Sequence, residues 1–388
     1  MIIGQQLSIT DIERYLDELA GTIGSTDLTF PAGLRSRGAS GEASFVQFLN
    51  SWGNRSASTR LIMGGQLAPH EYAERLAERL PGQVAAILCT SAVRSKLDGD
   101  FARLIKGFSE RKLLTNYYSR RISRENITGR TISILCADTA GYGEPRTVYE
   151  EDLRGGFQVK DVLGFVPIIE QAFTSLIPDV NHRKLTVDSR FMNASASLLY
   201  ELFSNTHYHA RSNFDGTPLK SSCRGFQLRV LEAADRPLID AAAGYEPLAR
   251  YIDQLPQLEQ AHRQLLEISV FDSGPGFAQQ MTKTPLEGIS VAREREAVEY
   301  CFEKGATTKS HTRYGQGLPQ VISLLRERHG FLRLRTGRLS LSRDLSLERG
   351  WDRQRIPQFE SWAPANRDSL APAQGACLTV LMPLQGRA

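Results

Sequence analysis

The chain has 388 residues, of which 41% are hydrophobic and 23% charged, with a formal net charge of +4. That is the composition of an ordinary globular protein with room for two domains, and the charge is too small for this length to imply nucleic acid as a partner. The five cysteines (Cys89, Cys136, Cys223, Cys301, Cys377) stand singly, without CxxC pairs or histidines at ligand spacing, which argues against zinc or a disulfide framework and for a reducing, cytoplasmic setting.

The first residues, MIIGQQLSITDIERYLDEL, lack a basic segment followed by an apolar one. No run of about 18 apolar residues follows anywhere, so neither secretion nor a membrane span is expected. In chain order, ITDIERYLDELAGTI and HEYAERLAERL have the i, i+3, i+4 spacing of helices, whereas TRLIMGG, QVAAILCT and RTISILCAD read as strands. GFVPIIEQAFTSLI is expected to be a connecting helix, and Pro178, Asp179 and Asn181 mark a boundary. We therefore expect a smaller α/β domain of unknown function over residues 1–180 and a second domain over 181–388.

The second half is expected to run as a strand (KLTVDS), a helix carrying ELFSNTHYHA, a strand (GFQLRVLEA), a helical insertion at about 232–262 and a strand (LLEISVFDS). A helix (VAREREAVEYCFEKG), a glycine turn (YGQGLP), a helix (QVISLLRERHG) and final strands ending in ACLTVLMPL follow. This order predicts a mixed sheet with helices on one face. The insertion's apolar positions suit packing on the sheet better than binding a partner. The Arg-rich stretch RERHGFLRLRTGRLSLSR (326–343) reads as a solvated basic face rather than a nucleic-acid surface.

Three stretches of the second half can carry chemistry. In ELFSNTHYHA (201–210), Glu201, Asn205 and His209 are four apart and should form one polar stripe on a helix whose other face is Leu198, Leu199, Leu202 and Phe203. In FDSGPGF (271–277), a strand ends in Asp272, an acceptor-only carboxylate, beside Gly274 and Gly276, where backbone can approach a flat ligand. An exocyclic amine would suit it, although taken alone the stretch also reads as the plain turn that commonly follows a strand. In KGATTKSHTRYGQGLPQ (304–320), a Thr/Lys loop and the pair Gly315 and Gly317 lead into a helix, so free amides and the positive helix end face the loop. Such an arrangement suits phosphates, although there is no GxxxxGK[ST] loop.

Taken in order, ELxxNxxxHA, DxGxG, GxGL and GACLTVLMP resemble the N box and glycine boxes of the gyrase, heat-shock chaperone, histidine kinase and MutL (GHKL) ATPase superfamily, over residues 184–385. The resemblance implies a Bergerat-type two-layer α/β sandwich that binds ATP and Mg²⁺ under a lid. It places Asn205 on the metal, Glu201 as the general base for hydrolysis, and Asp272 on the adenine amine with Gly274 and Gly276 giving the base room. Thr307, Thr308 and Lys309 fall in the lid, Gly315, Gln316, Gly317 and Leu318 wrap the phosphates, and His209 matches the histidine kinase form of the N box, as a hydrogen-bonded residue of the pocket wall or as a catalytic one. His207 points elsewhere. Two positions depart from the pattern: Tyr208 replaces a charged residue, and Ala376 stands where relatives carry a hydroxyl.

Three activities fit this reading. One is an ATPase whose turnover or lid closure drives a change in the N-terminal domain. Another is a protein kinase of histidine kinase or anti-sigma type, for which His70 in APHEYAERL is the candidate acceptor. The third is a nucleotide-sensing scaffold without turnover. Each implies a protein partner or self-association.

Overall fold

The computed structural model describes the chain apart from residues 37, 95–98, 139–140, 142–143, 178–188, 233–235, 243, 256–263, 304–316, 347–357, 365–366, 368 and 385–388. The architecture is α/β. Its first elements are β1 (Gln6–Leu7), α1 (Ile9–Ala20), β2 (Thr26–Pro31), β3 (Arg35–Ser36), α2 (Gly41–Arg55), β4 (Thr59–Gly64), α3 (Pro69–Ala77), α4 (Leu80–Leu88), β5 (Ser91–Val93) and α5 (Ala102–Tyr118). Helix α1 starts where Ser8 accepts from the Asp11 amide while the Asp11 carboxylate accepts from the Ser8 amide, a reciprocal cap. Its apolar stripe of Ile9, Ile12, Tyr15, Leu16 and Leu19 is buried.

Strands β2, β4 and β5 pair in parallel in that order, with α2 and then α3 and α4 as the crossovers that parallel pairing requires. The stretch QVAAILCT, expected as a strand, lies mostly in α4. Pro81 in its first turn suits a helix start. A short run buried on every side, as Leu80, Val84, Ala85, Ala86 and Leu88 are here, has no periodicity to separate helix from strand.

The chain continues through β6 (Ile127–Thr128), β7 (Thr131–Ala137), β8 (Tyr149–Glu151), β9 (Phe157–Val159), α6 (Val162–Leu176), α7 (Ser189–His209), β10 (Cys223–Glu232), α8 (Arg236–Ala242) and α9 (Glu246–Gln254). It ends with β11 (Gln264–Phe271), α10 (Phe277–Thr282), α11 (Val291–Tyr300), α12 (Gly317–Glu327), β12 (Phe331–Gly337), β13 (Leu339–Asp344), β14 (Glu360–Ser361) and β15 (Ala373–Pro383). The strand read at KLTVDS lies outside the described residues, except that its last residue, Ser189, opens α7.

An eight-stranded sheet of order β14-β13-β12-β15-β11-β10-β7-β6 spans the molecule, antiparallel throughout, so parallel and antiparallel pairing occupy separate sheets. Its register sets Phe226 opposite Ile134 and Val270, and Ile268 opposite Leu228 and Val380. Strands β6 and β7 precede residue 180, so the sheet runs across the boundary expected there.

Strand alternation gives the sheet two unlike faces. One is apolar: Ile134, Phe226, Leu228, Ile268, Val270 and Val380 share a core with Leu198, Leu199, Leu202 and Phe203 of α7 and with α6 and α12. The other carries Gln227, Glu267, Ser269, Arg333, Arg335 and Thr379, all buried beneath α1 and α2. Helices therefore cover both faces, where one helical face was expected. The Arg-rich stretch is likewise not a solvated face at Arg333 and Arg335.

The cause is pairing that alternation cannot reveal. Glu13 of α1 accepts from Arg335 at 2.8 and 2.9 Å and lies 3.6 Å from Arg333. Ser40 donates its amide to Glu267, and its hydroxyl meets Ser44, Thr379 and Arg333. Removing one partner of a buried pair strands the other charge. Glu13→Ala should lower unfolding free energy by roughly 3 kcal/mol in urea titrations, and a change below about 1 kcal/mol, the ceiling for exposed pairs, would mean that water reaches the arginines.

The insertion behaves as expected. Leu238, Ala242, Tyr245, Leu248, Tyr251 and Ile252 of the α8–α9 segment bury against Leu265, Phe331 and Leu381 of the sheet. Among the described residues no helix is long and apolar enough to cross a membrane.

Candidate functional site

Helix α7 forms the floor of the candidate site. Its apolar face is locked into the core, with Phe203 edge-on to Phe226 at 5.7 Å. On the other side Glu201, Asn205 and His209 are all half-buried and in line, as their spacing requires. At 1.5 Å rise per residue, Glu201 and His209 are about 12 Å apart along the axis.

The two ends of this stripe meet different elements. A Cβ on Gly317, the first residue of α12, would lie 2.4 Å from Glu201 Oε2, so the carboxylate rests against the start of that helix. At the far end His209 Nδ1 is 3.4 Å from Gln280 Nε2 of α10. A Cβ on Gly274 would lie 2.6 Å from the Cα of Ala210, so the turn after β11 packs on the end of α7. Between the ends, Asn205 makes no side-chain hydrogen bond among the described residues.

Asp272 follows the last residue of β11. Its amide donates to the Ala376 carbonyl at 2.9 Å, and its Oδ1 accepts from the amides of Gly274 at 2.9 Å and Ala376 at 3.2 Å. Oδ2 has no hydrogen-bond partner among the described residues. Loss of solvent on burial pushes this carboxyl up to about 6, against the opposing pull of the two amides and Arg224. Half-buried and with one oxygen uncommitted, it is an acceptor waiting at the mouth of the turn.

Glycines make that turn sterically feasible. Gly276 has φ +83° and a Cβ there would sit 2.7 Å from Thr336 Oγ1, while Gly375 has φ +73° and a Cβ there would sit 2.0 Å from the Asp272 carbonyl oxygen. Gly375→Ala should therefore cost roughly 3 kcal/mol, read as a fall in the thermal midpoint. An unchanged midpoint would mean that β15 can shift away from β11 freely.

The structure thus brings Glu201, Asn205, His209, Asp272, Gly274, Gly276 and Gly317 around one helix, and Leu318 is buried in the adjoining core. Thr307, Thr308, Lys309, Gly315 and Gln316 lie outside the described residues. His207, expected to point elsewhere, sits 3.1 Å from the Tyr149 hydroxyl, which accepts from the fully buried Arg224; Arg224 in turn pairs with Asp138 through two bonds of 2.8 Å. Tyr208 is 49% exposed, so it points away from the stripe. His70 lies in α3, edge-on to Phe108 of α5 at 4.9 Å.

Three residues of the site carry no motif. Thr336 lies directly opposite Ala376 in the β12–β15 register, and its hydroxyl accepts from the Phe277 amide and donates to the Gly375 carbonyl. A hydroxyl is therefore present beside the turn, supplied by the paired strand. Gln374 Nε2 donates to the carbonyls of Ser273 and Gly274. Asn50 of α2 donates to the carbonyls of Cys223 and Asp272. The signals for these are strand register for Thr336 and Gln374 and helix-on-sheet packing for Asn50, which a sequence does not print.

Among the described residues no group of three or more His, Cys, Asp or Glu side chains is arranged to hold a metal ion. The oxygen donors along the stripe are Glu201 and Asn205, a sparse set of the kind that suits a hard cation sharing its shell with phosphates and water. No protein-family model matches this chain, and no curated protein or solved structure matches it.

Proposed function

We propose that this chain is a Mg²⁺-dependent ATP-binding protein that hydrolyses ATP and couples the nucleotide state to its N-terminal α/β unit. The observation that carries the reading is Asp272: a half-buried carboxylate with Oδ2 uncommitted, in a turn cleared by Gly274, Gly276 and Gly375, at one end of a polar stripe. The resemblance of residues 184–385 to GHKL ATPases supports it, and the Bergerat-type sandwich belongs to the same proposal. In this chain such a sandwich would be widened by β6 and β7 and covered by α2 on its second face.

The division of labour follows from the two ends. Asp272 Oδ2 accepts from the exocyclic amine of the purine, and the bare turn lets the ring lie flat. His209 and Gln280 close the wall beside it. Asn205, halfway along, offers a neutral oxygen to the cation. Glu201, at the opposite end, accepts a proton from water and so directs it as a general base. Bound ATP with Mg²⁺ supplies the phosphoanhydride and the charge that polarises it.

Thermal unfolding with and without ATP and Mg²⁺ tests binding. Nucleotide at about 100 times its dissociation constant should stabilise the fold by roughly 2.7 kcal/mol. Incubation with γ-labelled ATP then reads the fate of the phosphate: label released as free phosphate supports hydrolysis, whereas label retained on protein would replace hydrolysis with phosphotransfer. A shift without release would leave a nucleotide sensor.

A further inference from the structure

Helix α2 has a composition that packing alone does not explain. Residues Gly41–Gly53 are all buried, yet they include Glu42, Ser44, Gln47, Asn50 and Ser51. Glu42 pairs with Arg79 and Gln227, and Ser44 with Ser40 and Arg333, while Gln47, Asn50 and Ser51 bond backbone at or beside the candidate site. Asn50 Nδ2 reaches the Cys223 carbonyl at 3.1 Å and the Asp272 carbonyl at 3.3 Å. Gln47 Nε2 reaches the carbonyls of Arg335 at 2.9 Å and Gly375 at 3.3 Å. Ser51 Oγ accepts from the Gln374 amide at 2.8 Å, and the Gln374 side chain in turn holds the carbonyls of Ser273 and Gly274.

Two details mark these as placed contacts. The acceptor oxygens of both amides, Gln47 Oε1 and Asn50 Oδ1, are buried without a hydrogen-bond partner. An unpartnered buried oxygen is a cost that an apolar side chain of similar size would not carry. Meanwhile the other side of α2 belongs to the N-terminal core: Trp52 Nε1 donates to the Thr26 carbonyl at 2.7 Å, and Phe45 and Phe48 pack on Phe30 and Tyr15.

We infer that α2 is the strut through which the purine end of the site and the N-terminal α/β unit sense one another, with Gln47 and Asn50 as positioning residues for the Asp272 and Gly375 backbone. This rests on the ATP reading given above. A ligand that draws the Asp272 turn toward itself pulls on carbonyls held by α2, which is buried from Gly41 to Gly53. The same linkage runs in reverse: a partner that shifts α2 changes affinity for the nucleotide by an equal factor.

Hydrogen exchange of the full chain, with and without ATP and Mg²⁺, tests the strut. Wild type should show slowed exchange at 272–277 and 374–377 and also within α2. Asn50→Leu, which keeps the branched shape and removes the donor, and Gln47→Leu, a second variant that also removes the donor, should keep protection of the turn, lose it in α2 and weaken ATP about tenfold. Protection of the turn without α2 in wild type would overturn the strut and leave the ATP reading standing. Protection of neither would overturn the ATP reading. The positioning role is then decided by the Asp272 carboxyl titration of ligand-free protein, followed by NMR: a displaced midpoint in Asn50→Leu supports it, and a coincident one overturns it.

Discussion

Glu201→Gln should lower steady-state phosphate release by about 10²–10⁴-fold while leaving ATP affinity within a few-fold of wild type. The substitution keeps the shape of the side chain against Gly317, where the space is already closed to a methyl group, and replaces a charged, proton-accepting carboxylate by a neutral amide. Glu201 is half-buried at the far end of the stripe from Asp272, so binding of the purine does not depend on it. The expected signature is thus a loss in kcat with KM nearly unchanged, which marks an interaction made in the transition state rather than on binding. Release at the wild-type rate would remove Glu201 from the reaction. Loss of binding together with turnover would make it a structural brace for the start of α12.

Periodicity carried the local structure far. The stripe of Glu201, Asn205 and His209 and its apolar counterface were legible because a helix repeats every 3.6 residues whatever surrounds it. The strand that delivers Asp272 and the glycines after it were legible for a similar reason, since turn chemistry is local. Tertiary facts were not. Glu267, Ser269, Arg333, Arg335 and Thr379 alternate with apolar residues, which reads as one wet sheet face. They are dry because Glu13, Ser40 and Ser44, more than 200 residues away in sequence, meet them. Helix α4 differs from the strand its sequence suggests because an apolar run buried on every side does not reveal its period. Strand register sets Thr336 and Gln374 beside the turn, and the packing of α2 on the sheet sets Asn50 there.

Asp272→Asn should stabilise the ligand-free protein at pH 7 and abolish its stabilisation by ATP. The carboxyl is raised from the ordinary 3.8 to about 6. Below pH 4 it is neutral in both folded and unfolded chains and has no cost. Between pH 4 and 6 the unfolded chain ionises while the folded one resists, so stability falls as pH rises. Above pH 6 both are ionised and the full cost, up to about 3 kcal/mol, is present. The amide variant never ionises, so its advantage over wild type should appear across pH 4–6, level off above it and vanish below. Nucleotide affinity runs the other way. The purine amine needs the ionised acceptor, so wild-type affinity should rise with pH through about 6, and the amide puts an N–H where Oδ2 faced that donor. A residue that merely shaped the turn would not gain stability while losing ligand. If Asp272→Asn keeps the ATP-dependent thermal shift, or if wild-type affinity is flat from pH 5 to 8, the carboxylate is not where the purine is held.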